Sequence, residues 1–178
     1  MGTPSSTRSA ASPLWPLAIF RILFGVMYLN MAFQKAPWVK GPEGFAFGWL
    51  YGYIWKEINH PTFGWYTAFL QGVLLPNFTL FGTMSFLTEV ALGLGLLVGL
   101  LVPLAGIGGA LWMVNIMLGS YAIPGEWAWI WMLLIMPQVT FALCRGGRAL
   151  GLDAGIARRL AEKARDGARV PGWARYLA

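Results

Sequence analysis

Charged side chains are scarce in this chain of 178 residues. Asp, Glu, Lys and Arg together make up 11% of the sequence, whereas hydrophobic residues make up 57%. A water-soluble domain usually carries about 25% charged residues, so this chain has too few to cover a water-facing surface. The composition therefore predicts an integral membrane protein, with the lipid bilayer as its main partner.

Cysteine and histidine are scarcer still, with one residue of each. A lone Cys144 excludes an internal disulfide, a CxxC redox pair and a thiolate cluster. A lone His60 argues against a bis-histidine haem and against most zinc sites. We therefore expect no haem and no metal, and any redox role would need a cofactor or a partner subunit.

The net charge of +6 does not indicate nucleic-acid binding, because the basic residues are concentrated in the C-terminal tail beside hydrophobic segments. Attraction to anionic lipid explains that placement better. The tail contains Arg145, Arg148, Arg158, Arg159, Lys163, Arg165, Arg169 and Arg175. By the positive-inside rule, it lies in the cytoplasm.

Four apolar stretches are long enough to cross a bilayer, since about 20 helical residues span its hydrocarbon core. They cover residues 14–34, 78–101, 103–123 and 127–144. We expect an all-α four-transmembrane-helix bundle at 14–144, between a cytoplasmic N-terminal tail at 1–13 and a basic cytoplasmic tail at 145–178. An even number of spans puts both termini in the cytoplasm. We expect a multi-pass protein of a prokaryotic cytoplasmic (inner) membrane.

Two segments outside the spans have recognisable patterns. The outer loop at 35–77 ends in an apolar part, residues 60–75, that is too short to span, which predicts an interfacial or re-entrant helix ending at Leu75-Pro76-Asn77. In the basic tail, Leu152, Ile156 and Leu160 recur at helical spacing after a possible cap at Asp153. This predicts an amphipathic helix that lies on the inner leaflet or binds a soluble partner.

Glu89 is the clearest polar residue inside the predicted membrane region. It shares one helix face with Gly82, Ser85 and Gly93, while Met84, Leu87, Ala91, Leu94 and Val98 form the opposite, lipid-like face. A charge in hydrocarbon costs a few kcal/mol, so we expect Glu89 to point into the bundle. It is either a catalytic or proton-handling group or a hydrogen-bonded link between helices.

The first and third spans carry similar polar stripes. The first contains Arg21, Gly25, Tyr28, Ala32 and Lys35, and the third contains Gly108, Asn115, Gly119 and Ala122. Helical rise predicts a mid-membrane polar layer of Tyr28, Glu89 and Asn115, and a second layer of Arg21 and Gln138 nearer the cytoplasm. Arg21 either contacts substrate or extends to the inner surface, Lys35 either contacts substrate or reaches the outer interface, and Asn115 is expected to join helices.

The motifs resemble those of the DoxX/DoxD family of small membrane proteins with four spans. The stretches that carry the resemblance are RILFGVMYLNMAFQK at 21–35, LLPNFTLFG at 74–82, TEVALGLGLLVGL at 88–100 and CRGGRALGLD at 144–153. Where the family usually has a basic residue after the second span, this chain has Leu101-Val102-Pro103.

The resemblance implies the membrane subunit of a quinone-linked oxidoreductase, such as one of the thiosulfate:quinone type, with quinone as cofactor. Catalytic roles would then fall to Glu89 and Arg21, and the quinone site to Tyr28, Asn115 and Gln138. Lys35, Lys40, Lys56 and His60 in the outer loop would attract an anionic substrate. Another protein subunit or a second copy of the chain is an expected partner. The alternatives are a non-catalytic accessory or assembly subunit of a larger respiratory or photosynthetic complex, and a small-solute transporter.

Overall fold

A computed structural model describes residues 14–177, so the predicted N-terminal tail at 1–13 lies outside the described part of the chain. Within residues 14–177 the secondary structure is helical, apart from an isolated bridge between Lys40 and Ala46. The helices are α1 (Trp15–Gln34), α2 (Leu50–Asn59), α3 (Gly64–Phe69), α4 (Phe78–Val98), α5 (Val102–Ser120), α6 (Ile130–Leu143), α7 (Leu152–Arg165) and α8 (Gly172–Leu177).

Three helical runs are long and apolar enough to cross a membrane. They are Trp15–Gln34, Gly64–Val98 and Val102–Ser120, and a shorter apolar helix, Ile130–Leu143, has 14 residues. Large hydrophobic side chains cover the outer surface of these runs, including Leu23, Leu80, Met84, Leu87, Leu111 and Leu133. Such a surface belongs in lipid rather than water, which confirms the prediction of a membrane protein.

Helices α1 and α4 pack closely against each other and run antiparallel. Gly25 and Gly93 allow this approach, because a Cβ on Gly25 would lie 2.6 Å from the backbone nitrogen of Leu97. The predicted inward stripe of α4 is buried, and its predicted lipid face is exposed. A core between α1, α4, α5 and α6 contains Phe24, Tyr28, Leu92, Leu96, Val102, Met113 and Phe141.

At the predicted end of the outer apolar helix, Leu75-Pro76-Asn77, the helix changes type but the helical run continues. A π-helical turn at Leu70–Leu74 and a 3-10 turn at Leu75–Asn77 join α3 directly to α4. The helical run bends at this point. The rings of Phe69 and Phe81 lie 5.9 Å apart, whereas 12 residues of straight helix would separate the two positions by about 18 Å. Pro76 lacks a backbone N–H and accounts for the change of helix type.

Helix α2 lies inside the segment that the sequence predicted to be a loop. Its buried residues Ile54 and Ile58 pack with Phe47, Tyr66 and Phe78 in a second hydrophobic cluster. Glu57 is buried on the same helix and faces the end of α5. The segment between α1 and α3 therefore forms a packed cap over one end of the bundle.

Candidate ligand cavity and buried polar clusters

A cavity of about 400 Å³ lies beneath this cap, between α2, α3, α4, α5 and the adjoining ends of α1 and α6. Its walls are mainly apolar and aromatic, with Trp49, Tyr53, Tyr66, Phe69, Phe81, Trp112 and Trp131 among them. The volume falls within the range of small-molecule sites, about 300–1,000 Å³. The charged residues that line it are Lys35, Glu57 and Glu126.

An ion pair lies beside the cavity. The ammonium of Lys35 is 2.5 Å from Oε1 of Glu89, and both side chains are buried, at 3% and 0% exposure. The indole Nε1 of Trp112 donates to the same oxygen at 3.1 Å. The other oxygen, Oε2 of Glu89, is buried and has no hydrogen-bond partner among the described residues. The pair therefore joins the end of α1 to the middle of α4.

The position of Lys35 contradicts one of its two predicted roles, that of reaching the outer interface, and leaves contact with a substrate open. Its ammonium is held inside the molecule by Glu89 and by the Trp49 ring, whose centroid is 5.1 Å away. Lys35 is therefore separate from the exposed cations of the outer loop. Lys40, Lys56 and His60 are exposed, as expected of that group. Lys56 borders a separate surface pocket together with Glu43 and Tyr53.

A second polar cluster lies where α2 meets the end of α5. The hydroxyl of Ser120 donates to Oε1 of Glu57 at 2.7 Å, and the hydroxyl of Tyr53 donates to Oε1 of Glu126 at 3.1 Å. Gly119 makes room for the cluster, since a Cβ there would collide with the Glu57 carboxylate.

Burial raises the pKa of Glu57 to about 7, although the Ser120 hydrogen bond and the charge of Lys35 lower it in part. Burial likewise raises the pKa of the Tyr53 hydroxyl to about 12. Glu57 therefore changes charge near neutral pH, whereas Tyr53 stays protonated.

The cavity wall contains two further polar groups. The hydroxyl of Tyr66 donates to the backbone oxygen and to Oδ1 of Asn115, at 3.1 and 3.3 Å. Asn115 lines the cavity and pairs with Tyr66, so it joins α3 to α5 there and forms no layer with Tyr28 and Glu89. Trp131 is 4% exposed, and its Nε1 has no hydrogen-bond partner among the described residues.

The predicted polar layers are arranged differently in the structure. Tyr28 donates to Oε1 of Gln138 at 2.9 Å and to the carbonyl of Gly109 at 3.1 Å. Gln138 therefore pairs with Tyr28 and not with Arg21. This cluster closes the contact between α1, α5 and α6, and neither side chain lines the cavity.

Arg21 belongs to a third cluster at the opposite end of the bundle from the cap. Its guanidinium donates to the carbonyls of Leu96 and Leu97 at the end of α4, and to those of Ala149 and Leu150 before α7. The side chain is fully buried and lies outside the cavity lining. It accordingly satisfies carbonyls that the end of α4 leaves free.

Asp153 completes this cluster, which we call the inner clamp. Its carboxylate accepts hydrogen bonds from the backbone N–H groups of Leu101 at 2.7 Å and Val102 at 2.9 Å, at the start of α5. The prediction that Asp153 caps its own helix is wrong, since Gly151 occupies the N-cap of α7 and makes no side-chain cap. The inner clamp instead fastens the start of α7 to the α4–α5 turn.

Sequence reasoning missed Glu57, Tyr53, Ser120 and Glu126 as site residues. The sequence did contain a signal for Glu57. It lies next to Ile58 and three residues after Ile54, so on a short helix it would lie near the apolar face. Nothing in the sequence indicated that Ser120 and Glu126, more than 60 residues away, would meet it.

No match to this chain was found among family models, curated proteins or solved structures. The resemblance to the DoxX/DoxD family therefore stays a prediction from the four motifs. The fold and the site define an all-helical membrane protein with a buried ion pair next to an apolar cavity.

Proposed function

We propose that this chain is the quinone-binding membrane subunit of an oxidoreductase in a prokaryotic cytoplasmic membrane, with α6 as a fourth span and both termini cytoplasmic. The cavity of about 400 Å³ supports this proposal most directly. A quinone head is a flat, apolar ring with polar oxygens at two edges, and it requires aromatic and aliphatic walls with a few hydrogen-bonding groups.

The cavity lining supplies both kinds of group. Phe69, Phe81 and Leu70 offer apolar surface, while Ser85 and Thr88 on α4 carry hydroxyls. The Lys35 ammonium lines the same space. A quinone would bind between these walls, with its oxygens accepting hydrogen bonds from the α1–α4 side.

Reduction of a bound quinone consumes a pair of electrons and a pair of protons. In this proposal the electrons come from a donor subunit. Glu57 lines the cavity, and its pKa of about 7 lets it take up and release a proton near neutral pH. This chain would therefore contribute binding and proton exchange.

The charges that line the cavity affect where thiosulfate would be oxidised. Lys35 is paired with Glu89, and Glu57 and Glu126 add negative charge when ionised. An anionic substrate would be repelled from this space. In the thiosulfate version of the proposal, the anion is oxidised on the donor subunit, and the exposed Lys40, Lys56 and His60 attract it or its carrier.

Tryptophan fluorescence tests quinone binding, because Trp49, Trp112 and Trp131 line the cavity. Titration of the protein in lipid nanodiscs with a short-chain ubiquinone should give saturable quenching. Thr88→Phe should abolish the saturable part by filling the cavity. Thr79→Phe is the matched control, since Thr79 is exposed on the same helix and outside the cavity lining.

Two results would refute the quinone site. One is quenching that rises linearly without saturation, as simple partition into lipid produces. The other is equal quenching in the two Phe variants. Mass spectrometry of the complex purified in mild detergent would then decide the role, since recovery within a large assembly and without quinone would favour the accessory subunit.

A further inference from the structure

We infer that the cavity opens sideways into the lipid between α4 and α5, and that its ligand is an amphiphile with a polar head inside and a long apolar chain outside. Two residues mark the opening, Met84 on α4 and Asn115 on α5, because both line the cavity and both are exposed. The inference deepens the proposed function and relies on it only for the identity of the head, which would be a quinone ring.

Met84 belongs to the cavity wall and to the lipid-facing surface at once. It is 53% exposed, and it shares one face of α4 with Leu80, four residues before it, and Leu87, three residues after it. Leu80 and Leu87 are also exposed, but they lie outside the cavity lining. The cavity therefore reaches the lipid-facing surface of α4 at Met84.

Asn115 occupies a corresponding place on α5. Leu111 lies one turn before it on the same face and is exposed, again outside the cavity lining. Met84 is six residues from the first residue of α4, and Asn115 is five residues from the last residue of α5. These spacings put the two residues at similar depths, about 9 and 8 Å from the cap ends of neighbouring helices.

The wall of the cavity is polar in its interior and apolar at this opening. Lys35, Glu57 and Trp131 line the interior and are 3%, 7% and 4% exposed. Phe81 lies one turn before Met84 and adds apolar surface on the α4 side. The volume of about 400 Å³ is near the lower end of the range for small-molecule sites, so it suits a ring-sized head and leaves a long chain outside.

The cap makes the water side a poor exit for such a chain. Trp49 in the cap is also exposed and lines the cavity, but its indole donates to Oε1 of Gln34 at 3.3 Å. The Tyr53–Glu126 bond of 3.1 Å ties the cap to the turn before α6. A chain that left past Trp49 would move methylene groups from lipid into water, which is unfavourable, whereas a chain that leaves past Met84 stays in lipid.

Photo-cross-linking of the full chain in nanodiscs tests where the chain of the ligand leaves. The probe is a long-chain benzoquinone with a diazirine on the chain close to the ring, and tandem mass spectrometry locates the adducts. Adducts at Met84 and Asn115 should disappear when the same quinone without diazirine is added in excess. Adducts at Leu87 should remain, since they come from probe dissolved in the lipid.

Met84→Trp narrows the opening and should remove the displaceable adducts at Asn115. Leu87→Trp is the matched control, because Leu87 is exposed on the same face of α4 but outside the cavity lining, and it should keep them. Displaceable adducts at Trp49 in place of Met84 and Asn115 would overturn the inference, since the chain would then leave on the water side.

A second measurement without quinone separates the opening from the quinone site. The probe is a phosphatidylcholine with a diazirine at the end of one acyl chain. It should form adducts with Leu70 and Met113, which line the cavity and are each 1% exposed, and these adducts should be lost in Met84→Trp but kept in Leu87→Trp. Their absence from the wild type would overturn the opening. If they form while the quinone probe gives no displaceable adduct, the quinone head alone is refuted and the ligand is a lipid.

Discussion

Replacement of Lys35 by methionine is the most direct test of the buried ion pair. Methionine keeps much of the apolar stem but leaves Glu89 without its cation in a site that is 0% exposed. Removing one partner of a buried pair typically costs about 3–5 kcal/mol, because the remaining charge is uncompensated. We expect Lys35→Met to lower the free energy of unfolding by about 4 kcal/mol.

Replacing Glu89 while keeping Lys35 should lower the free energy of unfolding less than replacing Lys35. Glu89→Gln removes the main partner of Lys35, but Lys35 also interacts with Glu57 and lies 5.1 Å from the centre of the Trp49 ring. It can therefore keep part of its stabilisation, so we expect a loss of about 1–2 kcal/mol, less than in Lys35→Met. The double variant Lys35→Met/Glu89→Gln buries no charge at either position and should lose clearly less stability than the sum of the two single losses.

Equilibrium unfolding by a denaturing detergent, followed by circular dichroism, measures these differences. Lys40→Met is the control, because Lys40 is exposed five residues away, and a surface change of this kind is usually within about 0.5 kcal/mol. The reasoning would be refuted if Lys35→Met matched the control. It would also be refuted if the double variant lost the sum of the two single losses, since independent sites add.

Three further predictions concern the cap, the inner clamp and the contact between α1 and α4. Because the pKa of Glu57 is raised from 4.5 to about 7, its protonated form favours folding, so about 3 kcal/mol of stability should disappear as pH rises from 4.5 to above 7. Glu57→Gln should flatten that pH profile of thermal unfolding, and an unchanged slope would contradict the assignment. Asp153→Ala leaves two backbone N–H groups unpaired and should cost about 1–3 kcal/mol, with faster proteolysis of the tail in a protease time course. Gly25→Val should cost at least about 2 kcal/mol by forcing α1 from α4, whereas Gly155→Ala, with open space around it, should leave the melting temperature unchanged or higher.

The apolar helices were predictable because their signal is local. The expected spans at 14–34, 78–101 and 103–123 agree within a few residues with Trp15–Gln34, Phe78–Val98 and Val102–Ser120. Length and composition alone determine such segments. Helix α7 is similar, since its spacing of Leu152, Ile156 and Leu160 matches Leu152–Arg165.

The partners of the polar residues were not predictable in the same way. Helical periodicity showed that Arg21, Tyr28 and Glu89 face inward, and all three are buried. Comparing residue depths along ideal straight helices then predicted the wrong neighbours for these side chains. Such a comparison ignores the length of each side chain and the bend before α4. Arg21 reaches backbone carbonyls, which a search for complementary side chains overlooks.

The cap was the least predictable part of the cavity. Helix α2 contains Gly52, Lys56 and Glu57, so it lacks the continuous apolar run that identifies a span. Its contacts with α5 join residues more than 60 positions apart, and no local pattern encodes that pairing. Sequence reasoning therefore identified the long apolar helices and omitted the part of the cavity wall that α2 provides.

The length of α6 has a consequence for the membrane around the protein. Its 14 residues rise about 21 Å, whereas the hydrocarbon core of a typical bilayer is about 30 Å thick. Crossing on this helix would leave about 9 Å of mismatch, at a cost of a fraction of a kcal/mol per Å. In the proposed four-span topology, lipid beside α6 therefore thins, and the molecule should partition into the thinner regions of a membrane.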